Sequence, residues 1–417
     1  MSGLTIRILA ALALGLFAGA AVAAFSPGSS EAVLGVAQPV GKIWLDALTM
    51  TVTPLVFGLV VTGIAAPARG GGAAARAFGW FAVLLVGACA VGAAVSVGLL
   101  RLWPLSPELV PPVEAPPEVA SASEWLSGLI PTNPFKAAAE TAIAPLVVFA
   151  LLFGFAARRI AAPLRTSLVA VLEAMVQTML VIVRWVLLLG PLGVGALAIV
   201  VGVQLGAGAF GVLFHYVLLV ASVCLTVTLL AYPVAAVFGR ISPLKLARAS
   251  LPAQAVALST QSSLASLPAM VEAAPALGVR DDTAGVVLPL AVSIFRAASA
   301  AANVAVAVYL AHFHGVALGP AALAVVVLVA AVVSLAAVGL PAQVSFFATI
   351  APVCLAAGVP VIMLPLLLAV ESVPDLFRTI GNVTADLTVT RIVGRDDLSA
   401  PAPAEAPASE GAAAPAG

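Results

Sequence analysis

The sequence predicts an all-α integral membrane protein made of many hydrophobic helices. Of its 417 residues, 63% are apolar and 9% are charged, whereas about a quarter of the residues in a soluble domain are charged. Apolar runs of about 20 residues, which suffice to cross a bilayer core about 30 Å thick, recur along the whole chain. The formal net charge is zero, so the composition does not point to a nucleic-acid partner.

Apolar length, together with charged or proline-rich breaks, predicts where the chain crosses the membrane. The candidate spans cover about residues 4–25, 38–67, 75–101, 141–158, 172–203, 207–239, 284–312 and 360–392. With this set of spans, both termini are expected on the cytoplasmic side.

Two further apolar segments are interrupted by small or polar residues. Residues 243–276 contain the serine-rich run 259–266, and residues 320–357 are broken at Gly339-Leu340-Pro341. Non-helical backbone at membrane depth is tolerated only where protein buries it or where it lines a wet cavity. Paired interrupted segments are the best sequence pointer to the binding site of a secondary transporter. We therefore predict two re-entrant helical hairpins that contribute to such a site.

The basic residues and the linkers predict the orientation. With a cytoplasmic N-terminus and two re-entrant hairpins, Lys42, Arg101 and Lys136 lie outside and most other basic residues lie inside. The proline-rich segment 103–135 is expected to form an extracytoplasmic loop. Residues 398–417 are almost all Ala, Pro, Gly and Ser, which predicts a disordered tail. The Ala/Val-rich composition and the lack of a recognisable targeting peptide suggest a bacterial inner membrane.

The last span carries the densest set of polar side chains. Glu371, Asp375, Arg378, Asn382 and Asp386 follow one another in steps of three and four, so on a helix they line one face. Because ionisable groups in lipid are costly, that face must meet a partner helix, a cavity or a ligand. A guanidinium can clamp a carboxylate with two bonds, and the neighbouring aspartate could hold an ammonium group. The pattern favours recognition of an amino acid; an internal salt-bridge network that only locks helices together is the alternative.

Other polar residues within the apolar segments are candidates for the same site. Ser262 and Ser263 supply hydroxyls and, at a hairpin tip, free backbone N–H groups that suit an anion, although small residues also serve close helix packing. Arg296 lies inside the seventh span and needs an anion nearby. The acidic groups of the last span and a substrate carboxylate are both available; a structural ion pair is the alternative.

Cofactor and metal signatures are not recognised in the sequence. Cys89, Cys224 and Cys354 lie far apart in apolar runs and are expected to be small core residues. His312 and His314 have no third ligand nearby in sequence, and we interpret them as residues at the end of a span. The absence of a nucleophile elbow or a phosphate-cradling loop argues against an enzyme.

Several short segments, in the order of the chain, are similar to those of a known family. They are Thr53-Pro54-Leu55-Val56-Phe57, Ile130-Pro131-Thr132-Asn133-Pro134-Phe135, Gly190-Pro191-Leu192-Gly193-Val194, Leu267-Pro268 and the run from Asp375 to Leu387. With the Asp–Arg–Thr–Asn–Asp spacing in that last run, the chain resembles the glutamate transporter group of dicarboxylate/amino acid:cation symporters. The resemblance extends from the first span to about Val393.

The resemblance implies a fold and an assembly. It implies eight spanning helices and two re-entrant hairpins arranged as inverted repeats, an arrangement that recurs among secondary transporters. It also implies a homotrimer in which a scaffold part, about residues 4–67 and 141–203, holds the assembly. The transport part, about residues 75–101 and 207–394, would slide across the membrane as an elevator.

The resemblance also implies roles for individual residues. Arg378 would bind the side-chain carboxylate of the substrate and Asp375 its amino group, and Asp386 would be a sodium ligand. The pocket would be completed by Thr379, Asn382, Ser262, Ser263, Ser299 and Leu340.

The seventh span departs from the family pattern at the cation site. Where the family carries Asn-Met-Asp-Gly-Thr, this chain has Phe295-Arg296-Ala297-Ala298-Ser299, and the family's Ser-Ile-Gly-Thr in the second hairpin is replaced by Ser334-Leu335-Ala336-Ala337. Sodium needs several hard oxygen ligands. A guanidinium about 5 Å from a cation would cost about 3 kcal/mol at an effective dielectric constant of 20.

These departures lead to a hypothesis about coupling. Arg296 would stand in for a bound cation and neutralise Asp386 or the substrate, and transport would be independent of sodium. Protons could be coupled through Glu371, Asp375 or Asp386, or transport could be simple exchange. The expected function is transport of acidic amino acids or C4-dicarboxylates without a cofactor. The alternatives are a sodium-coupled dicarboxylate symporter, a transport-inactive sensor or scaffold and, least favoured, a membrane enzyme.

Overall fold

The computed structural model describes residues 3–65, 71–105, 130–140, 142–206, 208–336 and 342–396, and every regular element in these ranges is helical. Most of the predicted loop 103–135, the break at Gly339-Leu340-Pro341 and the predicted tail 398–417 lie outside the described residues. In chain order the helices are α1 (Gly3–Phe25), α2 (Ser30–Thr49), α3 (Val52–Ala65), α4 (Gly71–Leu102), α5 (Pro134–Ala139), α6 (Ile143–Ala157), α7 (Ala162–Leu188), α8 (Gly190–Leu205), α9 (Gly208–Phe238), α10 (Pro243–Thr260), α11 (Leu267–Ala273), α12 (Asp281–Ile294), α13 (Ala297–Phe313), α14 (Pro320–Ala336), α15 (Ala342–Ala356), α16 (Leu364–Val370) and α17 (Ser372–Val393).

Several of these helices are long and apolar enough to cross a membrane. Among the described residues, 6 segments meet this condition by length and composition: Ile6–Phe25, Pro27–Thr62, Ala73–Leu102, Ala162–Leu188, Gly208–Phe238 and Asp281–Phe313. Shorter apolar helices cover Pro145–Ala157, Gly190–Leu205, Pro320–Leu335 and Phe346–Ala356. These findings confirm an all-helical protein with many apolar helices, whereas the count of eight spans and the re-entrance of the hairpins stay predictions.

Several predicted spans are two helices rather than one. The sequence predicts a single span over 172–203, but the helix ends at Leu188 and restarts at Gly190. Pro191 lies in the first turn of α8 and accounts for the break, because proline has no N–H to bond to the preceding turn and is favoured at the start of a helix. In the same way Glu371 separates α16 from α17, and Pro374 lies in the first turn of α17.

Small residues bring α1 and α8 into close contact. A Cβ on Gly15 would lie 2.6 Å from the carbonyl oxygen of Gly195, and a Cβ on Gly202 would lie 2.6 Å from that of Leu16. Only glycine permits this approach, which is how membrane helices gain van der Waals contact in the absence of a hydrophobic drive between them. Helix α2 also packs against α8, so these three helices form one tightly packed unit.

The polar helix α17 lies within a second group of helices. It contacts α9, α10, α12 and α13, and α13 in turn packs against α4. Helix α3 packs against α6 and α7, and α14 contacts both α3 and α4. The helix that carries the densest set of polar residues is therefore one that its neighbours surround.

The two interrupted segments each form a pair of contacting helices. In the first, α10 starts at the N-cap Ser242 and ends at Gln261, whose left-handed backbone (φ 53°) turns the chain. Residues 261–266 form the tip, and α11 then packs back against α10. In the second, α14 and α15 contact each other, and residues 337–341 between them lie outside the described part of the chain.

Candidate functional site

Helix α17 presents ionisable side chains that are buried against neighbouring helices. Asp375 is 9% exposed, Arg378 is 5% exposed and Asp386 is 0% exposed. Gly381 permits this close packing, because a Cβ there would lie 2.6 Å from the Cβ of Ala298. The charged face of the helix therefore meets protein rather than lipid, which is where intramembrane charges are normally found.

Arg378 is at the centre of a buried hydrogen-bonded cluster. Its Nε lies 2.6 Å from Oε1 of Glu371, and Oε2 of Glu371 accepts a hydrogen bond of 2.6 Å from the hydroxyl of Tyr216. Its Nη1 donates to Oδ1 of Asn303 at 2.9 Å and to the carbonyl of Ser299 at 3.5 Å. Within the described residues, Nη2 has no hydrogen-bond partner. One edge of the guanidinium thus keeps donors for a further anion.

Asn382 joins α17 to the start of α13. Its Oδ1 accepts hydrogen bonds from the backbone N–H groups of Ala298 and Ser299, at 3.0 and 3.1 Å, and its Nδ2 donates to Oγ of Ser299 at 2.8 Å. The first N–H groups of a helix have no partner within the helix and carry its positive dipole end. Here a side-chain amide occupies two of them, so the predicted pocket residues Asn382 and Ser299 are held together.

The seventh span is discontinuous at Phe295 and Arg296. Both residues have non-helical backbone angles, and α12 and α13 end and begin beside them. The ring of Phe295 stacks on Phe81 of α4, with centroids 5.0 Å apart, which anchors the break. Arg296 is half-buried, and its guanidinium makes no hydrogen bond or ion pair within 4 Å among the described residues. Its guanidinium is nevertheless close enough to interact electrostatically with Asp375 and Asp386.

The two aspartates of α17 differ in their surroundings. The carboxylate of Asp375 experiences the positive charges of both Arg378 and Arg296. Asp386 is fully buried, and within the described part of the chain neither of its carboxyl oxygens has a hydrogen-bond partner. A bare buried carboxylate is costly, so Asp386 requires a proton, a bound cation or the nearby charge of Arg296. Thr379, by contrast, donates its hydroxyl at 2.8 Å to the backbone carbonyl of Asp375.

The tip of the first hairpin reaches the start of α17. The side-chain amide of Gln261 donates a hydrogen bond of 3.1 Å to the carbonyl of Ser372. Ser262 and Ser263 are half-buried; Oγ of Ser262 accepts from the backbone N–H of Ala265 at 3.2 Å and so stabilises the turn. The structure thus places the tip next to α17, three residues from Asp375.

The second hairpin is described only in part. Leu340 and Ala337 lie outside the described residues, so the predicted role of Leu340 in the pocket stays a prediction. Ser334 is buried near the end of α14, and its hydroxyl has no hydrogen-bond partner among the residues that the structure describes.

The polar contacts of α17 and of Arg378 include residues that the sequence did not single out. Tyr216 of α9 binds Glu371, Asn303 of α13 binds Arg378, and Gln254 of α10 donates to the hydroxyl of Thr384 at 2.8 Å. Asn303 follows Ser299 by one helical turn, so the sequence could have indicated that the two side chains share a face of α13. Tyr216 gives no signal, because a tyrosine in an apolar span is usually a packing residue whose partner only the fold reveals.

Histidine and cysteine side chains do not assemble into a metal centre within the described residues. The three cysteines are buried and not disulfide-bonded. His215, for which the sequence offers no partner, has Nε2 2.9 Å from the carbonyl of Trp103, and its ring packs against that indole.

Comparison with known proteins identifies the family. The family model described as the sodium:dicarboxylate symporter family matches residues 4–396. The chain belongs to the sodium:dicarboxylate symporter family. It is therefore an integral membrane protein of a transporter family, not a member of an enzyme family, as the short segments from Thr53-Pro54 to the last span indicated.

Individual members of the symporter family match almost the full chain. A proton/glutamate-aspartate symporter of Escherichia coli (strain K12) is 27% identical over 406 residues, which cover 93% of this chain and 92% of that protein. A C4-dicarboxylate transport protein of Solibacter usitatus is 27% identical over 438 residues, 98% of each chain. A C4-dicarboxylate transport protein 2 of Polaromonas naphthalenivorans is 26% identical, over 95% of this chain and 89% of the relative. A dicarboxylate or an acidic amino acid is thus the substrate class within these relatives.

Proposed function

We propose that this protein is a secondary active transporter of acidic amino acids or C4-dicarboxylates in the bacterial cytoplasmic membrane. The observation that carries the proposal is the buried guanidinium of Arg378, which keeps donors on Nη2 although Nε is ion-paired with Glu371 and Nη1 donates to Asn303. A guanidinium edge binds a carboxylate with directed, charge-assisted hydrogen bonds. The match to relatives whose names specify glutamate, aspartate or C4-dicarboxylates supports the same substrate class.

An acidic amino acid fits the site better than a plain dicarboxylate. Asp375 lies one helical turn from Arg378 on α17, and its carboxylate is available to an ammonium group. A plain dicarboxylate would instead bring two negative charges next to a buried aspartate. Thr379 and Asn382 on α17, Ser299 on α13, and Ser262 and Ser263 at the hairpin tip would complete the pocket, together with Leu340.

Transport is proposed not to use sodium. Arg296 provides a fixed positive charge within electrostatic reach of Asp375 and Asp386, where a bound cation would otherwise be needed. The residues Phe295, Ala297 and Ala298 that accompany it supply no side-chain oxygen. The substrate would then move with protons, or by exchange.

A sodium-coupled dicarboxylate symporter is the second candidate. It is favoured by one observation, the two buried oxygens of Asp386 that have no partner in the described residues. Such oxygens could bind a sodium ion that is carried with the substrate. The positive charge of Arg296 opposes this, since like charges at about 5 Å repel by about 3 kcal/mol at an effective dielectric constant of 20.

The proposed movement is an elevator within a homotrimer. The scaffold would comprise about residues 4–67 and 141–203, and the part formed by about 75–101 and 207–394 would carry the substrate. The separate packing of α1, α2 and α8 on the one hand, and of α17 with its neighbours on the other, supports this division. Both termini would be cytoplasmic.

Uptake of labelled L-aspartate into proteoliposomes tests the proposal. An inward sodium gradient, an inward proton gradient and no gradient are compared, with succinate and serine as competitors. We expect accumulation with the proton gradient, or exchange without a gradient, and competition by succinate. Accumulation that requires sodium would establish the second candidate, and binding without any uptake would indicate a transport-inactive sensor.

A further inference from the structure

Glu371 lies between two donor groups, those of Arg378 and Tyr216. The sequence did not predict this arrangement. Oε1 of Glu371 lies 2.6 Å from Nε of Arg378, and its Oε2 accepts the hydroxyl of Tyr216 at 2.6 Å. All three side chains are buried. Glu371 also lies at the break between α16 and α17, next to the residue whose carbonyl binds the tip of the first hairpin. It therefore connects the substrate-binding arginine, α9 and the hairpin.

The charges of the site are not balanced when every group is ionised. Two guanidinium groups, Arg296 and Arg378, face three carboxyl groups, Glu371, Asp375 and Asp386, which leaves one negative charge in excess. An acidic amino acid adds one more. Uncompensated charge is unfavourable in a buried site, so substrate binding must be accompanied by a cation.

We propose that Glu371 is the group that binds the transported proton and that Tyr216 is the positioning residue that holds its carboxylate while the proton is absent. This inference rests on the proposed function, because it assumes that the substrate carboxylate binds Arg378. The proton adds to a carboxylate oxygen of Glu371 when the substrate arrives, and it leaves the same oxygen when the substrate is released. No other covalent bond is made or broken.

Proton binding and substrate binding are coupled because Glu371 and the substrate carboxylate share the guanidinium of Arg378. Without substrate, Glu371 is the anion that neutralises Arg378. A substrate carboxylate on Nη2 supplies a second anion, which competes for the same positive charge and raises the affinity of Glu371 for a proton. By thermodynamic linkage, a proton on Glu371 must strengthen substrate binding by the same factor.

Few other groups near Glu371 could bind or release the proton that accompanies the substrate. On α17, Arg378 and Asp375 face Glu371. On α9, Tyr216 contacts Glu371 directly, and Cys224 lies close to Tyr216 and Glu371. Ser299 and Asn303 of α13, which complete the arginine cluster, do not titrate. Arg296 acts on the cluster through Asp375 and Arg378.

Proton uptake upon substrate binding tests the proposal directly. Purified protein in weakly buffered detergent solution is mixed with saturating L-aspartate, and a pH indicator reports the protons taken up for each substrate bound. We expect uptake by the wild-type protein and a loss of up to one proton per bound substrate in Glu371→Gln. In proteoliposomes the same variant should still exchange aspartate but should no longer accumulate it on a proton gradient. Equal proton uptake by the two proteins would overturn the assignment to Glu371.

The role of Tyr216 is tested by the pH at which aspartate affinity is half-maximal. The hydroxyl stabilises ionised Glu371, so in Tyr216→Phe the carboxyl should hold its proton more tightly. Loss of a hydrogen bond to a charged group changes the affinity for a proton by about tenfold, which is about one pH unit. The pH midpoint of aspartate affinity should therefore move upward by about one unit. Tyr309→Phe is the matched control, because its buried ring packs against Tyr216 while its hydroxyl donates to the backbone carbonyl of Val212.

The two experiments remain decisive in every outcome. If Glu371→Gln loses aspartate binding altogether, the midpoint in Tyr216→Phe decides, and an unchanged midpoint contradicts the proposal. If wild-type protein binds aspartate but takes up no protons, the proton site is wrong while the transporter assignment stands. If aspartate and succinate are neither bound nor exchanged, the proposed function itself fails.

Discussion

Replacement of Arg296 by methionine is the sharpest test of the proposed charge compensation. Arg296 lies at the break between α12 and α13 and acts electrostatically on Asp375 and Asp386 without a direct ion pair in the described residues. Two opposite charges about 5–8 Å apart contribute about 2–3 kcal/mol at an effective dielectric constant of 20. Loss of this attraction should weaken aspartate binding about 30- to 150-fold in sodium-free buffer, because one buried negative charge is no longer compensated.

The same substitution should also change the response to sodium. With the guanidinium removed, a sodium ion near Asp386 no longer meets a like charge, so added sodium should restore part of the lost affinity. The assay is isothermal titration of L-aspartate into purified Arg296→Met with sodium chloride or choline chloride. Arg184→Met, which removes an exposed guanidinium on α7, is the matched control and should bind like the wild-type protein. An unchanged Kd in choline chloride, or a sodium requirement in the wild-type protein, would refute the reasoning.

Three further substitutions test the site and the packing around it. Asp375→Asn should weaken aspartate binding at least about tenfold and succinate binding less, because only the amino acid carries an ammonium group. A competition assay with both ligands measures the ratio of the two affinities, and equal losses for the two ligands would contradict the role of Asp375. Gly381→Ala should lower the melting temperature, since the new methyl group would lie 2.6 Å from the Cβ of Ala298 and overpacking costs about 1–3 kcal/mol; the comparison is with Gly285→Ala, where the added Cβ meets nothing within 4 Å. Arg391→Met should destabilise the protein by about 3 kcal/mol in thermal unfolding, since its side chain donates hydrogen bonds of 2.8 and 2.9 Å to the carbonyls of Gly239 and Gly278 and a hydrogen bond to a charged group contributes about 1.5–3 kcal/mol; a wild-type melting temperature would show that this connection is dispensable.

The last span illustrates how much of the site could be predicted from the sequence. The steps of three and four between Asp375, Arg378, Asn382 and Asp386 predict a common helical face, and in the structure these residues are all buried on α17. The periodicity is local, so it could be read without knowing the fold. The same steps put Glu371 on this face, and the structure pairs it with Arg378. They could not indicate that the helix breaks at Glu371, between α16 and α17.

The partners of these residues could not be predicted in the same way. Tyr216 lies 155 positions from Glu371 in the chain, and Asn303 lies 75 positions from Arg378. An uninterrupted apolar helix carries no information about which of its faces meets a distant polar helix. Likewise, Phe295 is visible in the sequence only as a departure from the family pattern, whereas the fold stacks its ring on Phe81.

The sequence by itself determined that the protein is a helical membrane protein of a transporter family, because hydrophobic length, buried charges and short motifs are properties of neighbouring residues. It also determined which helix carries the ionisable face. Only the tertiary structure decided where the helices break, which donors Arg378 has left, and that Glu371 lies between Tyr216 and Arg378. The physical reason is that these features depend on contacts between segments distant in the chain. In a bundle of uniformly apolar helices, only close packing of small residues and pairing of buried polar groups determine which helices meet.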